Sequence, residues 1–94
     1  MDSREAAQIL QAYVARYRAK PYAELVKLMD EVQVHEVTGL SGAQYILEFD
    51  VFWDHEPEAD IRVTGGIDDG KLRSALTPLC DDFILTPEGE FVGE

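Results

Sequence analysis

The chain has 94 residues, of which 46% are hydrophobic and nine are aromatic, and its formal net charge is −11. That length holds one core and one domain, Met1–Glu94, and the apolar content excludes a disordered polar tract. The charge opposes nucleic acid and anionic membrane surfaces, and the apolar runs fall well short of the roughly 18–20 residues of a spanning helix.

Residues 3–19 read as a helix. Asp2 or Ser3 caps it, Glu5 sits in the first turn, and Arg16, Arg18 and Lys20 suit the negative end of its dipole. Ala6, Ile9, Leu10, Tyr13 and Tyr17 recur at three- and four-residue steps as one apolar stripe. Pro21 disfavours helical geometry at Lys20 and suits the start of a second, shorter helix over 22–29 that turns Leu25, Leu28 and Met29 inward.

Four antiparallel strands are predicted next, over 31–38, 43–54, 60–67 and 71–77. Pairing 43–54 with 60–67 across the loop from His55 to Ala59 sets Trp53 against Ile61, Val51 against Val63, Phe49 against Gly65 and Leu47 against Ile67. Backwards through Gly39-Leu40-Ser41-Gly42, the expected register sets Leu47 against Val34 and Phe49 against Val32. Forwards through Asp69-Gly70, a strong hairpin signal, it sets Ile67 against Leu72 and Val63 against Leu76. All three choices turn apolar side chains to one face, and a one-residue slip turns a strand's apolar set away from it. Residues 82–86 and 90–92 read as an extra terminal hairpin through Pro87-Glu88-Gly89.

An apolar sheet face and a helix with a matching stripe make an α+β two-layer domain, with the long helix and the short second helix on one face of a four-stranded antiparallel meander. Over about residues 3–77 this element order resembles the cystatin-like and nuclear-transport-factor-2-like arrangements. The protease-inhibiting cystatins carry a Gln-x-Val-x-Gly loop, and Gln33-Val34-His35-Glu36-Val37 lacks both its Val and its Gly. The resemblance therefore implies a fold and no inhibitory activity.

The opposite face of the predicted sheet is polar. The expected register gathers Gln33, His35, Val37, Gln44, Ile46, Glu48, Asp50, Phe52, Arg62, Thr64, Gly66, Arg73, Ala75 and Thr77 there, four of them apolar, with Glu48 reaching Arg73 over Gly66 and Arg62 diagonal to Asp50 and Asp54. The binding residues expected from the sequence are Glu48, Asp50, Arg62 and Arg73 on this face, and Asp54, Glu56, Glu58 and Asp60 in the acidic loop. His55-Glu56-Pro57-Glu58-Ala59 lacks the second histidine of a zinc-protease helix, and Asp68-Asp69-Gly70 reads as a turn before it reads as a metal loop. Cys80, the only cysteine, excludes an internal disulfide; flanked by acids, it reads as a small buried or half-buried residue.

Charge is divided along the chain. Residues 1–28 carry five basic and three acidic residues, whereas residues 29–94 carry three basic and sixteen acidic ones, a balance of −13. The expectation is a non-catalytic interaction module, an adaptor or an inhibitor or immunity-like binder of a basic protein, with no cofactor and no metal. Two alternatives stand beside it: a small-ligand or enzymatic pocket between helix and sheet lined by Tyr13, Tyr17, Tyr45 and Trp53, and a structural homodimer through a strand edge. A single cysteine and no apolar leader after Met1 suggest a cytoplasmic protein.

Overall fold

The computed structural model describes residues 2–70 and 79–94. Helix α1 (Ser3–Arg18) begins at Asp2, whose carboxylate accepts the amides of Arg4 and Glu5, both at 3.1 Å. Glu5 occupies the first turn and Arg16 and Arg18 the last, so both ends of the dipole meet opposite charge. Ala6, Leu10, Val14 and Tyr17 form its buried face, and the expected Ile9 and Tyr13 flank it half-buried. Pro21, extended at φ −68° and ψ 156°, leads into α2 (Tyr22–Val26). This helix stops short of Met29. The amides of Leu28 and Met29 bond three residues back, to Leu25 at 2.9 Å and Val26 at 3.2 Å, and Asp30 at φ 72° turns the chain into the sheet.

Among the described residues, the sheet contains β1 (Gln33–Thr38), β2 (Gln44–Trp53), β3 (Ile61–Asp68) and β4 (Leu79–Leu85), antiparallel in the order β1-β2-β3-β4. The domain is thus α+β, with helices on one face of a four-stranded meander. The β2–β3 register is the predicted one: Trp53 faces Ile61, Val51 faces Val63, Phe49 faces Gly65 and Leu47 faces Ile67. Tyr45, Leu47, Phe49, Val51, Ile61, Val63 and Ile67 all lie in the core.

The other two pairings differ from expectation. On β1 the register is shifted by one residue, so that His35 faces Leu47 and Val34 faces Glu48. The cause is the loop. The Gly39 amide bonds the Ala43 carbonyl at 2.8 Å and the Gly42 amide bonds the Gly39 carbonyl at 2.9 Å, with Gly42 at φ 90°. These bonds close three residues, Leu40, Ser41 and Gly42, where the sequence reading counted four. Gln33, His35 and Val37 consequently point toward the helix layer, and Val32 and Val34 are 51% and 56% exposed.

Beside β3, the strand is Leu79–Leu85 and not 71–77, with Ile67 facing Leu79, Val63 facing Phe83 and Ile61 facing Leu85. The predicted strand over 71–77 lies outside the described residues. Phe83 and Leu85 are buried in this pairing, and together they bring a larger apolar surface to β3 than two leucines would. The Asp69-Gly70 turn chemistry is nonetheless present: Gly70 has φ 75° and donates its amide to the Asp68 side chain at 2.7 Å. The terminal hairpin forms in reduced shape, as a bridge between Leu85 and Phe91 with the Thr86 amide on the Glu90 carbonyl at 2.8 Å.

At the centre of the core, Phe49 stacks on Tyr17 at 4.2 Å between centroids and lies over Gly65. A Cβ on Gly65 would come to 2.7 Å from Phe49 Cζ, whereas a Cβ on Gly66 meets nothing closer than 3.6 Å. Gly65→Ala is therefore expected to cost about 1–3 kcal/mol by overpacking, and Gly66→Ala to stay within about 0.5 kcal/mol. Denaturant unfolding of the two variants checks the contrast.

Glu5 joins the helix to the β1–β2 loop. Its carboxylate accepts the Ser41 amide at 3.0 Å, the Ser41 hydroxyl at 2.6 Å and the Tyr45 phenol at 2.7 Å. Hydrogen bonds from the Ser41 side chain first, then from Tyr45, hold its pKa below the ordinary 4.5. The bond to Glu5 is in turn the largest of the effects that push Tyr45 up to about 12. A carboxylate whose folded pKa is lowered stabilises the fold above its unfolded value, and that contribution disappears as pH falls through the folded value. Glu5→Gln should accordingly destabilise the protein above about pH 4.5, and the difference from wild type should shrink as pH is lowered below it. Unfolding midpoints measured across that range test the sign.

Candidate functional site

The outward face of the sheet is built from alternate residues of each strand. Its transverse rows are Glu36–Ile46–Asp68, Val34–Glu48–Gly66–Cys80, Asp50–Thr64–Asp82 and Phe52–Arg62–Ile84. Five carboxylates and one guanidinium belong to these rows, with an apolar fringe in which Val34 and Phe52 (42% exposed) stand out. Gly66, without a side chain, leaves a half-open depression of about 260 Å³ bordered by Ile46, Glu48, Asp50, Thr64, Asp68 and Cys80.

Two regions of this face differ electrostatically. At one end Arg62 is neutralised: its Nε donates to Asp54 at 2.9 Å and its Nη1 to Asp82. Asp54, with its side chain only 11% exposed, also lies 3.3 Å from His55 Nε2. The hydrogen bond to Asp54 is the largest cause of the raised Arg62 pKa, and burial works against it. At the other end Glu36, Glu48 and Asp50 are exposed, and among the described residues they have no ion pair or side-chain hydrogen bond. Glu48 and Asp50, two residues apart on β2, lie about 7 Å from one another along the strand.

Of the binding residues expected from sequence, Glu48, Asp50 and Arg62 share this face, and Arg73 lies outside the described residues. The row thought to run Gln33–Glu48–Gly66–Arg73 contains Val34 in place of Gln33 and Cys80 in place of Arg73. Arg62 does meet Asp54, and its second partner is Asp82, which the sequence reading placed in a separate hairpin. In the loop, Glu56 and Glu58 project into solvent, whereas Asp54 turns onto Arg62 and Asp60 is half-buried, its carbonyl accepting the Asp54 amide at 2.9 Å. Tyr22 of α2 anchors this loop through a 2.6 Å bond to the Ala59 carbonyl.

His35 and Cys80 exchange their expected settings. His35 is half-buried on the helix side, with Nε2 2.7 Å from the Tyr17 hydroxyl and its ring 4.9 Å from that of Tyr13. Burial, reinforced by Arg16, lowers its pKa, and burial, reinforced by Tyr13, raises that of Tyr17, so both shifts favour the uncharged forms of the pair. Cys80 is exposed on the outward face. Among the described residues, no group of three His, Cys, Asp or Glu side chains is placed to hold a metal ion, and no helix is long and apolar enough to cross a membrane.

Comparison of the chain with protein-family models, with curated proteins and with solved structures gives no match.

The asymmetry of the face predicts distinct responses to neutralisation. Arg62→Gln and Asp54→Asn should each lower the thermal midpoint, with the double substitution less harmful than the sum because both remove one interaction. Glu48→Gln and Asp50→Asn should leave the midpoint unchanged or raise it slightly, since each removes an unpaired like charge. Differential scanning calorimetry of the four single variants and the double variant distinguishes the two ends.

Proposed function

We propose that the domain is a non-catalytic interaction module whose outward sheet face receives a basic protein, as an adaptor or an inhibitor would. The observation that carries this reading is the group of exposed carboxylates at Glu36, Glu48 and Asp50, without an ion pair among the described residues, beside exposed Val34. Unneutralised charge steers a cationic partner and selects against acidic ones, and adjoining apolar surface supplies the area that a complex buries. Of the four aromatics expected to line a ligand pocket, Tyr17 and Tyr45 are 4% and 1% exposed and are engaged with His35 and Glu5, and Tyr13 and Trp53 pack half-buried against the core. An exposed single cysteine suits a reducing cytoplasmic setting.

A resin carrying the domain, incubated with extract of the source organism at low salt, should retain a basic protein that elutes as salt rises to about 0.5 M. Glu36→Gln/Glu48→Gln/Asp50→Asn should abolish retention, and Glu56→Gln/Glu58→Gln in the loop should weaken it far less. Retention that survives the triple substitution rejects the outward face as the contact.

A further inference from the structure

The two edges of the sheet are not equivalent. The outer edge of β4 is covered in part by the chain's own end: Phe91 bridges Leu85, and the Val92 amide donates to the Ile84 carbonyl at 2.9 Å. Arg18 fastens that segment, lying 4.0 Å above the Phe91 ring and paired with Glu94. On β1, by contrast, the sheet order ends, and no described strand lies beyond it. Proline, lysine and bulges are the usual means of blunting an edge, and Gln33–Thr38 contains no proline or lysine and runs in unbroken register with β2.

The loop fixes which amides this edge presents. Antiparallel bonds recur at every second residue, and Gly39 bonds Ala43. Val37, His35 and Gln33 therefore direct their backbone groups to β2, while Val34, Glu36 and Thr38 direct theirs outward. The same three residues have their side chains on the acidic face. On the helix side the neighbours are Gln33, His35 and Val37, with the Arg16 guanidinium 4.3 Å above the Tyr13 ring. A strand added here meets negative charge on one face and Arg16 on the other.

We infer that the partner docks by contributing an extended segment to β1 as a fifth, antiparallel strand, with lysine or arginine alternating with apolar residues. The basic side chains lie on the outward face beside Glu36, within a strand's reach of Glu48, and the apolar ones lie toward His35 and Val37. Charge complementarity selects this occupant over a second copy, whose own β1 would bring another Glu31 and Glu36 into an assembly of chains each at −11. This inference rests on the proposed function and adds how the partner is held: main-chain bonds give the affinity and alternation gives the selectivity.

In such a strand the residues that bond Val34, Glu36 and Thr38 are the basic ones, because an antiparallel bonded pair shares one face. The test uses the unmodified domain and an eight-residue peptide of alternating lysine and valine, with two relatives N-methylated on the backbone of either every lysine or every valine. Expected is binding at low salt that slows hydrogen exchange at the Val34, Glu36 and Thr38 amides. Affinity should fall about tenfold or more on lysine N-methylation and remain on valine N-methylation. Equal binding of the two methylated peptides overturns strand addition and leaves the acidic-face reading standing. No binding by any of the three overturns both. Protection of the β1 amides without peptide, together with a dimer in sedimentation, assigns the edge to a second copy and overturns the inference.

Discussion

Closure of the β1–β2 loop by three residues sets the phase on which the outward face depends. Gly42 at φ 90° allows the chain to turn after Leu40 and Ser41, and the bond from Gly39 to Ala43 then fixes every pair down to Gln33 and Phe49. Side-chain direction and hydrogen-bond direction both alternate with a period of two along a strand. A single choice of phase therefore selects which side chains of β1 face solvent and which backbone groups face the edge. With one further residue in the loop, Val32 and Val34 would enter the core and His35 would leave Tyr17.

The helix secures that phase. Glu5 grips both sides of the turn, through Ser41 in the loop and Tyr45 at the start of β2, so its three hydrogen bonds suit one loop geometry. At the opposite end of the same helix, Arg18 holds the terminal segment over β4 through Phe91 and Glu94. One rigid element thus constrains both margins of the sheet, with opposite results. Its N-terminal end fixes β1 without covering its outer amides, and its C-terminal end keeps a segment against the last residues of β4, where the Ile84 carbonyl accepts the Val92 amide.

The centre of the sheet was legible in the sequence because two long strands reinforced one another. Leu47, Phe49 and Val51 alternate on β2, Ile61, Val63 and Ile67 alternate on β3, and Gly65 leaves the space that the Phe49 ring occupies. At the margins the same method had less to work with. Alternation on β1 suits either face, since Val32 and Val34 have one parity and Val37 the other, and the loop length that decides between them depends on the conformation of one glycine. For β4 the positive φ expected at Gly70 is present, but β3 pairs with Leu79–Leu85 and not with a strand directly after Asp69-Gly70, because turn chemistry alone does not name the strand that follows. Asp82 was consequently missed as a partner of Arg62, and Cys80, read as buried or half-buried, is exposed. Glu48 and Asp50 were placed on the outward face because they lie on β2, where the register was secure.

Solubility accounts for the net charge but not for its arrangement. A soluble surface is served by charges scattered among neutral polar groups, whereas this face separates a neutralised end, where Arg62 lies between Asp54 and Asp82, from an end where Glu36, Glu48 and Asp50 have no ion pair among the described residues. Like charges about 7 Å apart on one strand raise the energy of the folded state slightly, and the exposed valines beside them gain nothing from water. Either feature alone is ordinary in a small acidic domain. Together, beside an edge of the sheet to which no described strand is added, they are the features on which the proposed docking of an extended cationic segment rests.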